Sequence, residues 1–359
     1  MEFLQIVFWI LTTALCLFFI SGHLLNLTKI QHWYVRGWDF PRPQVTIFVL
    51  MTASLHCIAA WPLGWFDLVL LLGLTWQFVY QIARIIPFTF LWKAQVKRAA
   101  HHDSDRSLRL LICNVERENE CYQDVIDVVE RVKPDLALFV EVDEVWAGKL
   151  DQLNFPSKLT QSQENHYGMM FLSQLEIESS EYRFVVQEDV PSLKAIIKLK
   201  NGQRVLFYGL HPRPPEPIND QDAIPRDAEL LQVGKEIGDR EDKELPVIVA
   251  GDLNDVAWSE SNDLFLKISE LLDPRVGRGR YSSWNAKSLV WRFPLDHIFH
   301  SEHFELIEMR VLNYVGSDHF PVIIDLHYNP QARQEQEKPK ADSEDEKEAD
   351  EKIENGKKA

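Results

Sequence analysis

Three long apolar stretches near the start of the chain predict membrane-spanning helices. Residues 3–20 are uncharged and come close to the length that a helix needs to cross the hydrocarbon core of a bilayer. Residues 45–61 and 65–83 have a similar character. A buried helical subdomain is the alternative, but uncharged runs of this length are rare in soluble cores. The pattern therefore predicts a membrane anchor of about three transmembrane helices in residues 1–92.

Charged residues around these runs indicate how the anchor is oriented. A signal peptide would need a basic segment before the first run, and Glu2 stands there instead. Basic residues follow the first run at Lys29, Arg36 and Arg42, and the third run at Arg84, Lys93, Lys97 and Arg98. In a three-span topology both groups lie on one face, which the positive-inside tendency makes cytoplasmic. The sequence thus predicts a multi-pass protein of a bacterial-type inner membrane, with its later domain in the cytoplasm.

After a linker at residues 93–106, short apolar runs that indicate strands alternate with amphipathic helical runs. The predicted strands are residues 108–113, 136–140, 168–172, 195–199, 204–210, 247–250, 297–299 and 321–326, and the predicted helices are residues 124–132 and 228–237. Mixed elements over residues 107–328 fit one α/β or α+β domain, commonly a layered sandwich.

Charge distinguishes these parts of the chain. Residues 1–102 hold 7 Lys and Arg against 3 Asp and Glu, whereas residues 103–330 hold 24 against 41. An acidic domain repels a polyanion at long range, so net charge does not favour unspecific binding of duplex nucleic acid. Residues 329–359 are rich in Glu and Lys and lack apolar periodicity, which predicts a disordered charged tail.

One loop is an exception to this acidity. Its arginines are Arg275, Arg278, Arg280 and Arg292, and the tryptophans Trp284 and Trp291 lie between the first and the last of them. Interleaved basic and aromatic residues could hold a phosphate and stack a base, or enter a lipid headgroup region. An ordinary surface loop with solvated arginines explains the same pattern equally well.

Polar residues with catalytic potential recur where the predicted strands end or begin. They are Asn114, Glu141, His211, Asp252, Asn254, Asp296, Asp318 and His319. Each alone has an ordinary explanation as a turn former, a solvated charge or a strand cap. Because strands of a sheet bring such ends to one edge, their joint occurrence favours a single functional cluster.

The sequence around these positions resembles the endonuclease/exonuclease/phosphatase superfamily. The matching blocks occur in that family's order: Asn114-Val115, Lys133-Pro134-Asp135-Leu136 leading to Glu141, Gly209-Leu210-His211-Pro212, Gly251-Asp252-Leu253-Asn254, Leu295-Asp296-His297-Ile298-Phe299 and Gly316-Ser317-Asp318-His319-Phe320-Pro321-Val322. The resemblance covers residues 107–328 and leaves out the apolar runs and the tail. It implies an α+β fold, a four-layer α/β/β/α sandwich, and metal-assisted cleavage of phosphoesters.

The resemblance also implies a role for each residue. Glu141 would be the main carboxylate ligand of Mg²⁺, or alternatively Mn²⁺, with Asn114 and Asp318 nearby, and hard cations do prefer such oxygen donors. His319 would be the catalytic histidine, paired to Asp296. Asp252 would orient or deprotonate the attacking water, while Asn254 and His211 would bind the phosphate. Asp252 and Asn254 could instead hold a second metal.

Several functions remain open at this point. The leading hypothesis is a membrane-tethered phosphodiesterase or nuclease-like hydrolase. The same fold could act on a phospholipid or sphingomyelin headgroup, or on a phosphomonoester, and a non-catalytic membrane scaffold is a further alternative. The expected partners are a phosphoester substrate, from nucleic acid or lipid, and the lipid bilayer; no obligate protein partner is predicted.

Overall fold

A computed structural model describes residues 3–215 and 222–358 of the chain. In chain order its helices and strands are α1 (Phe3–Asn26), α2 (Trp33–Arg36), α3 (Arg42–Ala59), α4 (Trp65–Ile85), β1 (Ser107–Asn114), α5 (Tyr122–Val132), β2 (Leu136–Val140), α6 (Glu144–Leu150), β3 (Ser157–Gln161), β4 (Met169–Ser173), β5 (Glu176–Arg183), β6 (Ser192–Lys198), β7 (Arg204–Leu210), α7 (Ile224–Gly238), β8 (Val247–Asp252), α8 (Glu260–Ser269), β9 (Asp296–His300), β10 (Phe304–Val311), β11 (Val322–Tyr328) and α9 (Ser343–Gly356).

The eleven strands of the described chain form two mixed sheets, which confirms the predicted α+β class. The first sheet has the order β10-β11-β1-β2-β4-β3, and the second has the order β5-β6-β7-β8-β9. Within them β1 and β2 are parallel, as are β7 and β8, and the other neighbours are antiparallel. Each parallel pair brings two strand ends to the same edge of its sheet.

The alternation of side chains along β1 explains how the first sheet is covered on both faces. Leu110 and Ile112 belong to the core between the two sheets, together with Phe171 and Phe207, whose rings stack at 4.7 Å. Leu111 and Cys113 point the other way and pack against α5 and α6. A strand buried on both faces is apolar throughout, which is why its sequence lacks an alternating polar pattern.

The second sheet has its own outer layer of helices. Tyr208, Val249 and Phe299 face away from the first sheet and pack against residues of α7 and α8. The order of layers is therefore helices, sheet, sheet and helices, in agreement with the predicted sandwich.

Several elements were not predicted from the sequence. They are β3, β5, β10, α6, α8 and α9. Strand β5 shows the reason, because its segment EIESSEYR has no buried residue and pairs with β6 along the edge of the sheet. Edge strands of this kind carry little hydrophobic signal.

The carboxy-terminal segment differs from the predicted disordered tail. Residues Ser343–Gly356 form α9, which begins with a capping box made by Asp342 and Asp345. Ala349 and Ile353 are buried in the apolar cluster that α7 and α8 form on the second sheet. The prediction of disorder was wrong for these residues because two apolar side chains, one turn apart, are too weak a periodicity to recognise in a highly charged segment.

The amino-terminal region also differs from the predicted three-span anchor. Among the described residues, two helices are long and apolar enough to cross a membrane, Phe3–Asn26 with a mean hydropathy of 2.4 and Trp65–Phe88 with a mean hydropathy of 1.5. Helix α3 lies between them in the chain and is not among the helices that are long and apolar enough to cross a membrane. Its polar residues explain this: Arg42, Thr46, Thr52 and His56 are buried against the neighbouring helices.

The three helices form an antiparallel bundle. The start of α3 lies by the end of α1, where Arg42 bonds to Asn26 at 3.2 Å, and its end lies by the start of α1, where His56 is 3.0 Å from Thr12. Trp9 of α1 donates to Asp67 in the first turn of α4 at 2.9 Å. The ends of α1 and α4 and the start of α3 therefore share one side of the bundle.

That side of the bundle rests on the sandwich. The indole of Trp258, just before α8, donates to the carbonyl of Asp39 at 2.7 Å, and Arg84 donates to the carbonyl of Trp258 at 2.9 Å. Residues 93–106, expected to be a linker, pair with β10 through the Lys97 and Ala99 backbone. The helical region thus contacts the sandwich close to the loops that follow β8.

Candidate active site

The polar residues singled out in the sequence lie at the ends or starts of six strands and meet at one edge of the two sheets. Asn114 ends β1, Glu141 follows β2, and His211 follows β7. Asp252 ends β8 directly opposite Asp296, the first residue of β9. Because β1 and β2, and likewise β7 and β8, are parallel pairs, their carboxyl ends point to the same edge.

Asn114 connects the two sheets at this edge. Its amide nitrogen donates to Oε1 of Glu141 at 2.8 Å and to Oδ2 of Asp252 at 3.0 Å. Its amide oxygen accepts the backbone N–H of Glu116 at 2.9 Å. Asn114 is buried, so these bonds fix both carboxylates without competition from water.

His319 lies between two carboxylates. Its Nδ1 is 2.8 Å from Oδ2 of Asp296, and its Nε2 is 3.4 Å from Oδ2 of Asp252. The backbone N–H of His319 donates to Ser317, whose hydroxyl donates to the carbonyl of Asn114. The segment that carries His319 is therefore tied to the end of β1.

Burial and neighbouring charges shift the pKa values of His319 and Asp252. Burial alone would lower the pKa of His319, but the charges of Asp252 and Asp296 outweigh it and raise that pKa. Burial raises the pKa of Asp252 well above the ordinary value of an aspartate, while the His319 cation acts in the opposite direction. A charged imidazole thus lies beside a carboxylate that binds a proton more readily than usual.

His211 lies near the same oxygen of Asp252. Its Nε2 is 3.9 Å from Oδ2 of Asp252, too long for a hydrogen bond, and its Nδ1 has no hydrogen-bond partner among the described residues. Burial lowers the pKa of His211 to about 4, so the ring is neutral at pH 7. A neutral imidazole with unused hydrogen-bonding capacity suits a polar substrate group or a water molecule.

Asn254 is positioned by its backbone. The residue has a φ of 51°, and its side chain donates to the carbonyl of Pro212 at 3.0 Å. Its own carbonyl accepts from Arg226 at 2.8 Å, and its N–H donates to Asp252 at 3.0 Å. Asn254 is therefore held next to the segment of His211.

Glu141 faces a small surface pocket. The pocket is lined by Glu141, Asn165, His166, Tyr167, Asp189, His211, Arg213, Pro214 and Asn254. Burial opposes the ionisation of Glu141, but hydrogen bonds from His166 and Asn114 lower its pKa to about 2. Glu141 is thus an ionised carboxylate at the pH of the cell.

The donors around Glu141 fit a hard divalent cation. Ligand atoms of Glu118, Glu141 and His166 lie within 4.8 Å of one another. Glu118 is exposed and Glu141 is partly buried, and two carboxylates at this spacing are the oxygen donors that Mg²⁺ and Mn²⁺ prefer. Asn114, predicted as a ligand, has its amide oxygen bonded to Glu116 and contacts Glu141 through its nitrogen.

Asp318, the third predicted ligand, lies beside this site in a different environment. Its Oδ2 accepts the indole N–H of Trp284 at 2.8 Å, and its backbone N–H donates to Glu116 at 2.9 Å. Among the described residues it belongs to neither group with metal-ligand spacing, which are Glu118 with Glu141 and His166, and Asp252 with Asp296 and His319.

Two residues at the site, His166 and Arg213, carry no prediction from the sequence, and Trp284 of the basic and aromatic loop makes a contact that the sequence does not predict. His166 contacts Glu141 and Glu118, Arg213 lies over the ring of Tyr167 at 4.8 Å, and Trp284 holds Asp318. Arg213 follows the His211-Pro212 block directly, and His166 precedes the predicted strand at residues 168–172, so proximity to the motifs was the available signal. Trp284 lies 34 positions from its partner, and only tertiary contact identifies it.

A comparison with models of protein families finds a match to the sandwich. A model of the Endonuclease/Exonuclease/phosphatase family matches residues 109–319, which is more than half of the chain. No curated protein matches the chain by sequence. The match spans the sandwich from β1 to His319 and leaves out the helical bundle and α9.

Solved structures share the fold at low sequence identity. They include D. rerio TDP2 complexed with single strand DNA product (16% identity, TM-score 0.52, covering 62% of this chain and 100% of that chain), a mannosyl-6-phosphatase of Bacteroides thetaiotaomicron (19%, 0.50, 62% and 100%) and the human Nocturnin catalytic domain with bound sulfate anion (17%, 0.50, 68% and 99%). At these identities the likeness concerns the fold alone.

Proposed function

Since this chain belongs to the endonuclease/exonuclease/phosphatase family, we propose that it is a metal-dependent phosphodiesterase tethered to a membrane. One observation carries the proposal: Glu141, Asn114, Asp252, His319 and Asp296 form a continuous path of contacts across the two sheets. A structural ion-pair cluster would not need a neutral histidine and an ionised carboxylate facing an open pocket beside it. The names of two structural neighbours, one with a DNA product and one a phosphatase, support phosphoester chemistry.

The proposed reaction is attack of water on phosphorus. Asp252 orients the water and takes its proton, which suits a carboxylate whose pKa burial has raised toward neutrality. The water oxygen forms a new bond to phosphorus, the bond to the leaving oxygen breaks, and the leaving oxygen takes a proton from solvent.

The other residues stabilise the phosphate during this step. His319, held as a cation by Asp252 and Asp296, lies next to the attacking side and offsets the added negative charge. His211 and Asn254 offer hydrogen bonds near Asp252. Asp296 acts through His319 by fixing its tautomer and favouring its charged form.

Glu141 and Glu118 would hold the divalent cation, with Asn114 positioning Glu141. The bound metal would polarise the phosphoryl oxygens. Mg²⁺ is the proposed ion and Mn²⁺ the alternative. Asp318 is a weaker ligand candidate because Trp284 already occupies its carboxylate.

The membrane tether is supported by the exposure of the bundle. In the most apolar 18-residue stretch of each helix, 17% of Phe3–Asn26 and 22% of Trp65–Phe88 is buried. A core helix of a soluble protein is mostly buried. We propose that α3 crosses the membrane together with these two helices. Its polar residues are buried against the neighbouring helices, and its exposed face is apolar. Exposed basic residues near the sandwich, Lys29, Lys93, Lys97 and Arg98, favour the cytoplasmic side of a bacterial-type inner membrane.

The test uses the full chain, purified in detergent. With Mg²⁺ it should cleave a soluble chromogenic phosphodiester, and EDTA should abolish the reaction. His319→Ala should lower kcat by about 10³-fold, whereas His101→Ala, a change at an exposed residue, should leave it unchanged. Glu141→Gln should raise the Mg²⁺ concentration needed for half-maximal rate.

Two results would contradict the proposal. Cleavage that persists both in EDTA and in His319→Ala would exclude this site as its source. Binding of Mg²⁺ without turnover of a phosphodiester, a phosphomonoester or a phospholipid would instead favour the non-catalytic scaffold.

A further inference from the structure

Three consecutive apolar side chains project from the loop beside the candidate active site. Leu289, Val290 and Trp291, here called the apolar tip, are 89%, 62% and 48% exposed. Exposed apolar residues are ordinary when they occur singly, but a run of three at the end of a loop indicates a surface that contacts another phase or molecule.

The loop that carries the apolar tip is fixed to the catalytic segment. Trp284 donates to the Asp318 carboxylate at 2.8 Å, and Ala286 donates to the Asp318 carbonyl at 2.6 Å. Just before the loop, Ser283 accepts from the backbone N–H groups of Asp296 and Phe320. Whatever surface the apolar tip binds is therefore held at a fixed position relative to His319.

The apolar tip is also joined to the helical bundle. Gln44, in the first turn of α3, donates to the carbonyl of Val290 at 2.7 Å. One turn further along α3, Ile47 and Phe48 are exposed apolar side chains, and Met51 follows them. The exposed apolar surface of the bundle thus continues onto the tip of the active-site loop.

A second apolar segment emerges from the same place. Phe90, Leu91 and Trp92 are exposed and follow α4. Phe88 and Phe293, which lie two residues from the two exposed segments, pack in one cluster with Trp258. Both exposed segments therefore lie next to the same buried apolar cluster, at the end of the bundle that contacts the sandwich.

Cationic residues flank both apolar segments. Lys287, which pairs with Glu116, and Arg292, which donates to the Ser288 carbonyl, bracket the apolar tip, and exposed Lys93 follows Trp92. Apolar and aromatic residues next to Lys and Arg are typical of segments that enter the headgroup region of a bilayer. A nucleic acid is a poorer fit, since residues 103–330 hold 24 basic against 41 acidic residues.

We infer that the apolar tip enters the bilayer interface next to the bundle, and that the site acts on a phosphodiester in a lipid headgroup. The inference rests on the proposed function and names its substrate class. A loop fixed to both Asp318 and α3 holds the catalytic edge at the membrane surface, where headgroup phosphates lie within reach without leaving the bilayer.

The position of the apolar tip can be measured without any activity. A nitroxide label at Leu289→Cys is compared with one at Phe184→Cys, in the full chain with Cys57→Ser and Cys121→Ser, reconstituted in vesicles of equal parts phosphatidylcholine and phosphatidylglycerol. Phe184 is a matched control because it is 45% exposed and follows β5, the strand at the opposite edge of the sheet from β9. Power saturation should show label 289 accessible to oxygen and shielded from an aqueous nickel chelate, and label 184 the reverse.

Two outcomes of that measurement would overturn the inference. Label 289 could be as accessible to the nickel chelate as label 184. Alternatively, labels at 289 could broaden one another's spectra, which would place a second copy of the chain on the apolar tip.

The substrate class is tested with two substrates. Leu289→Asp with Val290→Asp should lower the rate on a phospholipid in those vesicles by about tenfold or more, and leave the soluble phosphodiester unaffected. Phe184→Asp should change neither rate. Equal losses on both substrates, or no loss on the phospholipid, would overturn the inference. Failure of the unmodified chain on every phosphoester would instead refute the proposed function.

Discussion

His319 and Asp296 form a buried hydrogen bond of 2.8 Å although they lie 23 positions apart in the chain. Asp296 begins β9, and His319 lies just before β11, so the bond joins the two sheets at their shared edge. The second oxygen of Asp296 has no hydrogen-bond partner among the described residues. Asp296 is therefore directed at His319, whose charged form it favours.

Asp296→Asn should reduce activity and shift its pH dependence. We expect kcat to fall by about 10²-fold or more, because an amide neither favours the imidazolium nor selects its tautomer. The Asp296 charge contributes to the raised pKa of His319, so its removal lowers that pKa. The high-pH limb of the rate profile should therefore move to lower pH; a limb that stays in place would show that the His319 charge is not needed.

Asn114→Asp should impair the site through repulsion. The new carboxylate would face both Glu141 and Asp252 and could no longer donate to them, so kcat should fall by about 10²-fold and the Mg²⁺ requirement should change. Asn201→Asp makes the same chemical change in an exposed turn and serves as the control. Equal rates for the two variants would remove Asn114 from the proposed mechanism.

Arg226 connects the active-site loop to a buried charge network. It bonds to the Asn254 carbonyl and to Asp227, which also pairs with Lys352 of α9 at 3.2 Å. Arg226→Met would remove the ion-pair partner of buried Asp255 and leave Asp227 with Lys352 as its cationic partner, and we expect a loss of about 3 kcal/mol in the free energy of unfolding.

Lys352→Met is the matched milder change in the same network. It leaves Asp227 paired with Arg226 and bonded to Ser261, so its cost should be smaller, about 2 kcal/mol. Thermal unfolding of the detergent-solubilised chain measures both variants. A larger loss for Lys352→Met than for Arg226→Met would refute this order.

Glu229 predicts a pH-dependent stability away from the active site. It is buried in α7, its Oε1 has no hydrogen-bond partner among the described residues, and burial raises its pKa to about 8. As pH rises above the ordinary glutamate pKa, the unfolded chain loses this proton first, so stability falls until pH passes about 8.

Glu229→Gln removes this effect. The variant should be more stable than the unmodified chain at pH 8, by about 2 kcal/mol, and the difference should shrink toward pH 4. Unfolding curves at several pH values measure it. A difference that is independent of pH would show that Glu229 is not protonated in the folded protein.

Much of the sandwich could be predicted from the sequence because its central strands are buried on both faces. The run at residues 136–140 matches β2 in full, and residues 204–210 match β7. The polar residues after these strands are recognisable in the sequence because each one interrupts an apolar run. Strand β5 was missed because its side chains face water and its position depends on pairing with β6.

Outside the motif residues, the sequence alone does not reveal which distant polar residues pair. The sequence predicts Arg42 as a loop cation, whereas in the structure it is buried against Asp39, Asn26 and Gln81 inside the bundle. Lys352 was placed in a disordered tail, whereas it pairs with buried Asp227. Local composition is the same for a solvated charge and a paired one, so it does not distinguish them.

The sequence by itself determined where the buried central strands, the apolar helices and the motif residues lie, because each depends on local periodicity or on the order of residue types along the chain. The tertiary structure decided which of these residues meet. Asn114 between Glu141 and Asp252, Trp284 on Asp318, and α9 on α7 all join segments that are far apart in the chain. Such contacts follow from sheet order and register, which bring distant strand ends together and leave no periodic trace in the sequence.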